Sequence, residues 1–139
     1  MGATRAKVLE FDVSIDSDRT ARSGLGGSPL AAETDWWAEH LVLVALVRCT
    51  LTSLDHHARR AGLVATAAGT ARGTITKRES DGRYAFVDLG ARYEVELEEP
   101  PDPGTVADLL ERAERGCFVG NSLAVHPTNR WTVNGVETG

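Results

Sequence analysis

Leu9, Phe11, Val13 and Ile15 occupy every second position near the start of the chain, which predicts a half-buried strand over residues 8–15. Ser17-Asp18 reads as a turn, Arg19 to Ser23 as an antiparallel return, and the glycine-rich run Gly24 to Pro29 as a loop. The period then changes. From about Trp36 to Ala61 the pattern is helical, with Asp35 as N-cap, Arg59 and Arg60 in the last turn and Gly62 as the stop. Within it, Leu41 to Val47 is apolar on every face. Such a segment demands cover all round, which a sheet supplies on one side and a partner subunit on the other. Residues 63–78 and 83–98 read as two strands around an Asp81-Gly82 turn, with Gly90 as a candidate bulge. After the stiff linker Glu99-Pro-Pro-Asp-Pro-Gly104, Thr105 to Asp108 has the form of a capping box, and Val106, Leu109, Leu110 and Ala113 follow at helical spacing. Gly116 ends that helix, Cys117 opens another short apolar segment, and a last strand centres on Trp131 to Val133. This order of elements is an α+β fold.

Composition narrows the function classes. The 139 residues suit one domain, read here as spanning 1–139, and a chain of this size buries enough surface to need no staple. The net charge is −5, and Lys7 and Lys77 are the two lysines, with no basic block. That disfavours nucleic acid and anionic membrane as partners. The N-terminus shows no apolar signal core, and the longest apolar run falls far short of the roughly 20 residues that span a bilayer. The expectation is a cytoplasmic protein, where a permanent disulfide is disfavoured. His40, His56, His57 and His126 are scattered, no residue set has zinc-site spacing, and no hydrolase triad is visible, so neither metal nor organic cofactor is expected.

What remains is a pair of cysteines, Cys49 and Cys117, 68 positions apart. Such a pair is inert filling, a structural staple or a redox couple. Cys49 lies midway along the apolar helix. Cys117 follows a glycine stop, where backbone N–H groups of a following helix favour a thiolate.

The frames of both cysteines resemble those of a known family. Glu39-His-Leu-Val-Leu-Val-Ala-Leu-Val-Arg-Cys49 is similar to the helix that carries the reactive cysteine in the OsmC/Ohr thiol peroxidases, with Glu and Cys ten positions apart. Ala113-Glu-Arg-Gly-Cys117-Phe-Val119-Gly-Asn121-Ser-Leu123 resembles that family's second motif, and the resemblance covers most of residues 35–125. It implies an OsmC-like two-layer sandwich with antiparallel sheets and a long buried helix, assembled as an intertwined homodimer with interfacial sites. It further implies a peroxidase that reduces organic hydroperoxides or hydrogen peroxide, with Cys49 attacking, Cys117 resolving, Glu39 as the active-site carboxylate and an external dithiol as reductant. A catalytically inactive dimer of the same fold that binds a small apolar ligand, or a thiol redox sensor, is the rival reading.

Two departures stand out. The family's proline before the Glu is Ala38, and Arg48 occupies the usually small position before the reactive cysteine. A thiolate needs a nearby cation, and the resemblance implies an arginine from the N-terminal strand region, where Arg19 and Arg22 are the candidates by region, with Arg48 an unexpected third. Glu39 and Cys49 lie about 15 Å apart on a straight helix and on different faces, so they share a site only if the helix bends or two subunits meet. Trp36-Trp37 at the helix entrance suits core or dimer packing better than a peroxide pocket.

Overall fold

A computed structural model describes residues 6–32 and 35–138. Met1 to Arg5, on which the reading of the N-terminus partly rests, lie outside the described residues. The chain divides into two compact units, Met1–Trp37 and Ala38–Gly139.

The first unit holds a two-stranded antiparallel sheet of β1 (Val13–Ile15) and β2 (Ala21–Ser23). The turn between them is set by Arg19 at φ 75 and by the Asp18 carboxylate, which accepts from the Thr20 amide at 2.9 Å. Arg22 pairs with Asp16 at 3.1 Å. The strand is shorter than its alternation predicts, and Leu9, Phe11, Val13 and Ile15 are exposed rather than half-buried, Phe11 at 81%. A two-stranded ribbon has no layer of its own to cover such side chains.

The second unit opens with α1 (Ala38–Arg60). Its end is a Schellman turn: Gly62 takes φ 73, its amide donates to the Arg59 carbonyl, and the Leu63 amide donates to Ala58 at 2.8 Å. β3 (Ala65–Lys77) and β4 (Tyr84–Leu97) form a long antiparallel hairpin through Gly82 at φ 69. The register shifts at Thr74/Ile75, opposite Val87, so the irregularity falls there and Gly90 pairs regularly with Arg72. α2 (Pro103–Arg115) and the one-turn α3 (Phe118–Ser122) then carry the chain back, so β5 (Thr128–Val133) joins β4 parallel. The antiparallel expectation therefore holds for β3–β4 and β5–β6 but not for β4–β5. β6 (Val136–Thr138) extends the sheet to the order β3-β4-β5-β6 through the Asn134-Gly135 turn, both residues with positive φ.

α2 starts one turn earlier than the capping-box reading places it. Asp102 takes the N-cap position, Pro103 sits at N1, and the Thr105 hydroxyl donates to the Asp102 carboxylate at 2.6 Å. Leu109, Leu110 and Ala113 of α2, Leu54 and Ala58 of α1, and Ala91, Tyr93, Val95, Trp131 and Val133 of the sheet make one core. Helices on one face of the sheet give the two-layer α+β arrangement. α1 is not buried all round: of Leu41 to Val47 only Leu46 is fully buried, and Leu41 is 38% exposed. A single sheet covers one face of a helix, and the other face of this apolar stretch stays open.

Candidate active site: a thiol pair between two helices

The core layout brings the two cysteines together. Cys49 lies on α1, half-buried, and Thr50 beside it is buried. α3 packs against α1, and its N-cap is Cys117, 3% exposed. Gly116 lets the chain turn tightly before it, since a Cβ there would come within 2.5 Å of the Ser53 hydroxyl. Both thiols are free.

Cys117 is held on three sides. The Gly120 amide donates to its sulfur at 3.3 Å, the Thr50 hydroxyl lies 3.2 Å from the sulfur, and the thiol points at the Leu46 carbonyl at 3.9 Å. Thr50 also donates back to the Leu46 carbonyl at 3.0 Å, the usual way a threonine satisfies its hydroxyl inside a helix. Tyr93, stacked on Trp131 at 4.4 Å, brings its hydroxyl to the same neighbourhood. No hydrogen bond closes on that oxygen, although Thr50 is near enough to ease its ionisation slightly. Burial outweighs Thr50, and the Tyr93 hydroxyl is pushed up to about 12.

Cys49 is governed by opposing influences. Burial pushes its thiol above the ordinary cysteine value, the Val119 amide pulls it down, Cys117 pushes it up through hydrogen bonding and charge, and the Phe118 amide pulls it down. The net direction is upward. In a single chain the surroundings of Cys49 therefore work against its thiolate. Its sulfur faces the first amides of α3, donors suited to an anion on sulfur.

Within the second unit, Glu39 is not gathered here. α1 runs without interruption from Ala38 to Arg60, so exposed Glu39 in its first turn stands about 15 Å from Cys49 along the axis. Arg48 is exposed. Arg22 is engaged with Asp16 in the first unit. Conversely, the sequence reading missed Thr50 and Tyr93. A hydroxyl directly after Cys49 in an apolar helix, and an aromatic at an inward position of β4, were the available signals.

The sequence of residues 33–132 matches the family model of OsmC-like proteins. No curated protein matches. Among solved structures, an OsmC-like protein of unknown function from Vibrio cholerae is similar over 90% of this chain and 100% of its own, with 14% identity and a TM-score of 0.73. An OsmC-like protein from Mycoplasma pneumoniae gives 15% identity, 93% and 99% coverage and a TM-score of 0.71. An organic hydroperoxide resistance protein from Elizabethkingia anophelis gives 15% identity, 93% and 98% coverage and a TM-score of 0.63. At these identities the structures speak for the fold, and the family match covers well over half of the sequence. The chain belongs to the OsmC-like protein family.

Proposed function

We propose that this protein is a cysteine-based peroxidase that reduces organic hydroperoxides or hydrogen peroxide through Cys49 and Cys117. The observation that carries the reading is the pairing of an accessible thiol with a shielded one across α1 and α3, the first facing the Val119 and Phe118 amides. The Cys49 thiolate attacks the distal peroxide oxygen. The O–O bond breaks, the alcohol or water leaves with a proton, and Cys49 becomes a sulfenic acid. Cys117 then attacks that sulfur, the S–O bond breaks, water leaves, and a disulfide joins the two residues. An external dithiol returns both to thiols by exchange.

The reading includes a homodimer. Phe11, Val13 and Ile15 of the first unit and Leu41 of α1 are exposed apolar side chains without cover in one chain. A second copy supplies that cover, and it also provides a route for Glu39, which stands about 15 Å from Cys49 along α1, and for an arginine to reach the thiol. Organic hydroperoxide resistance proteins share the fold, which supports the substrate class. The upward shift of Cys49 favours the rival, a non-catalytic dimer or slow thiol sensor, if no cation arrives. Peroxide consumption with excess dithiol separates them: multiple turnovers per chain support the peroxidase, and none supports the rival.

A further inference from the structure

The outward face of the second unit's sheet carries a feature that the thiol site does not use. We propose that it is a binding site for the phosphoryl group of a small phosphorylated molecule. The proposal stands independently of the peroxidase reading.

The register assembles it. Thr70 pairs with Arg92 and Arg92 with Arg130, so these three side chains form one row on the face opposite the core. Arg72 pairs with Gly90 and Gly90 with Thr128, which makes the adjacent row. Between the rows lies a hollow of about 480 Å³ lined by these residues, a size suited to a small ligand. Adjacent strands are about 4.8 Å apart, so Arg92 and Arg130 set two guanidinium groups side by side. Like charges in neighbouring cross-strand positions are unfavourable, and a bound anion relieves them. None of the three arginines has an ion-pair partner among the described residues, although other arginines of this acidic chain do. Further along the same face the charge reverses at Glu94, Glu96 and Glu137, so positive charge is confined to the hollow.

Gly90 is the second, independent sign. Three glycines interrupt these strands. A Cβ on Gly69 would come within 2.8 Å of the Tyr93 ring, and one on Gly73 within 2.6 Å of Phe86, so packing forbids larger residues there. A Cβ on Gly90 would meet nothing nearer than the Thr128 carbonyl at 4.0 Å. Its φ is not positive either. Neither packing nor backbone requires glycine at 90, and glycine weakens a strand interior. What a side chain there would do is fill the floor between Arg72, Arg92 and Arg130.

Planar guanidinium groups grip phosphoryl oxygens in pairs, and the Thr70 and Thr128 hydroxyls add donors. Asp88 lines the hollow beyond Arg72. Its carboxylate repels a bare anion but accepts from a hydroxyl, which favours a phosphate ester of a polyol over inorganic phosphates.

The test is calorimetric titration of the full chain with glucose 6-phosphate, inorganic pyrophosphate and glucose at about 0.1 M salt. The proposal predicts saturable one-to-one binding of glucose 6-phosphate and none of glucose. Arg92→Gln and Arg130→Gln should each weaken it at least about tenfold, as loss of a charged bidentate contact does. Gly90→Val should abolish binding while the melting temperature holds or rises, and Arg59→Gln, an exposed arginine at the end of α1, should change nothing. Pyrophosphate binding as tightly, with Asp88→Asn inert, would assign inorganic phosphate as the source and remove the ester preference. No saturation by either phosphate up to roughly 10 mM, or wild-type binding by a folded Gly90→Val, would overturn the site. If Gly90→Val fails to fold, the two arginine variants decide.

Discussion

The start of α3 and the middle of α1 each present one thiol, and they treat it differently. Cys117 is buried, caps a helix and has an amide, a hydroxyl and a carbonyl around its sulfur. Cys49 is half-buried, and what reaches it from the same chain leaves it less acidic than an ordinary cysteine. The contrast teaches that one chain fixes the position of the second thiol but not the reactivity of the first. A resolving cysteine needs only to be placed within bonding range of its partner. An attacking cysteine must be ionised at neutral pH, and burial works against that.

The harshest way to break the contrast is to remove either sulfur. Cys49→Ser should reduce peroxide turnover to background. Cys117→Ser should allow about one oxidation per chain and then stall at the sulfenic acid, visible by stopped-flow peroxide consumption. Wild-type turnover by Cys49→Ser would reverse the assignment. Equal and complete loss in both, with no first oxidation in Cys117→Ser, would remove the division of roles.

The next effect concerns acidity. In a lone chain the Cys49 value is raised, so its alkylation rate should climb about tenfold per pH unit through neutrality and level off only above the ordinary range near 8.5. In the proposed dimer, with a cation supplied, the midpoint should fall below pH 7. Changing the responsible arginine among Arg19, Arg22 and Arg48 to Ala should slow alkylation at neutral pH at least about tenfold, the equivalent of about 1.4 kcal/mol. The profile is measured in a Cys117→Ser background at concentrations above and below dimer dissociation. A midpoint above 8.5 at every concentration, indifferent to all three arginines, would favour the inactive reading.

The smallest effect sharpens the other side. Thr50→Val removes the hydroxyl 3.2 Å from the Cys117 sulfur without changing side-chain shape much. It should leave the first oxidation unchanged and slow disulfide closure a few-fold, since a single neutral hydrogen bond contributes about 1 kcal/mol. A slower first oxidation instead would move Thr50 into the attacking step.

The same contrast explains what the sequence could and could not say. Elements defined by local signals were legible: α1 up to its stop at Gly62, although it opens at Ala38 and not at Trp36 behind an Asp35 cap, the β3–β4 hairpin around Asp81-Gly82, and the α2 face of Val106, Leu109, Leu110 and Ala113. Both cysteine frames could be read, because each lies within one short stretch. The Asn134-Gly135 turn that leads into β6 is a local hairpin signal of the same kind. The parallel joining of β5 to β4 was not legible, since a crossover is decided by tertiary packing and not by period. Nor were the exposures of Phe11 and Leu41: alternation tells which side of a strand is apolar, not whether the same chain covers it. Thr50 beside Cys117 depends on α3 folding back over α1, a contact between residues 67 positions apart.

The central claim is that Cys49 and Cys117 form one redox couple. Its most direct test is to add one equivalent of an organic hydroperoxide per reduced chain, count the remaining thiols, and map the disulfide by mass spectrometry of non-reduced peptides. The account predicts rapid loss of both thiols and a single intrachain link between Cys49 and Cys117, reversed by a dithiol. Retention of both thiols over the time a free cysteine takes to oxidise, or oxidation of Cys49 with Cys117 left as a thiol, would contradict it.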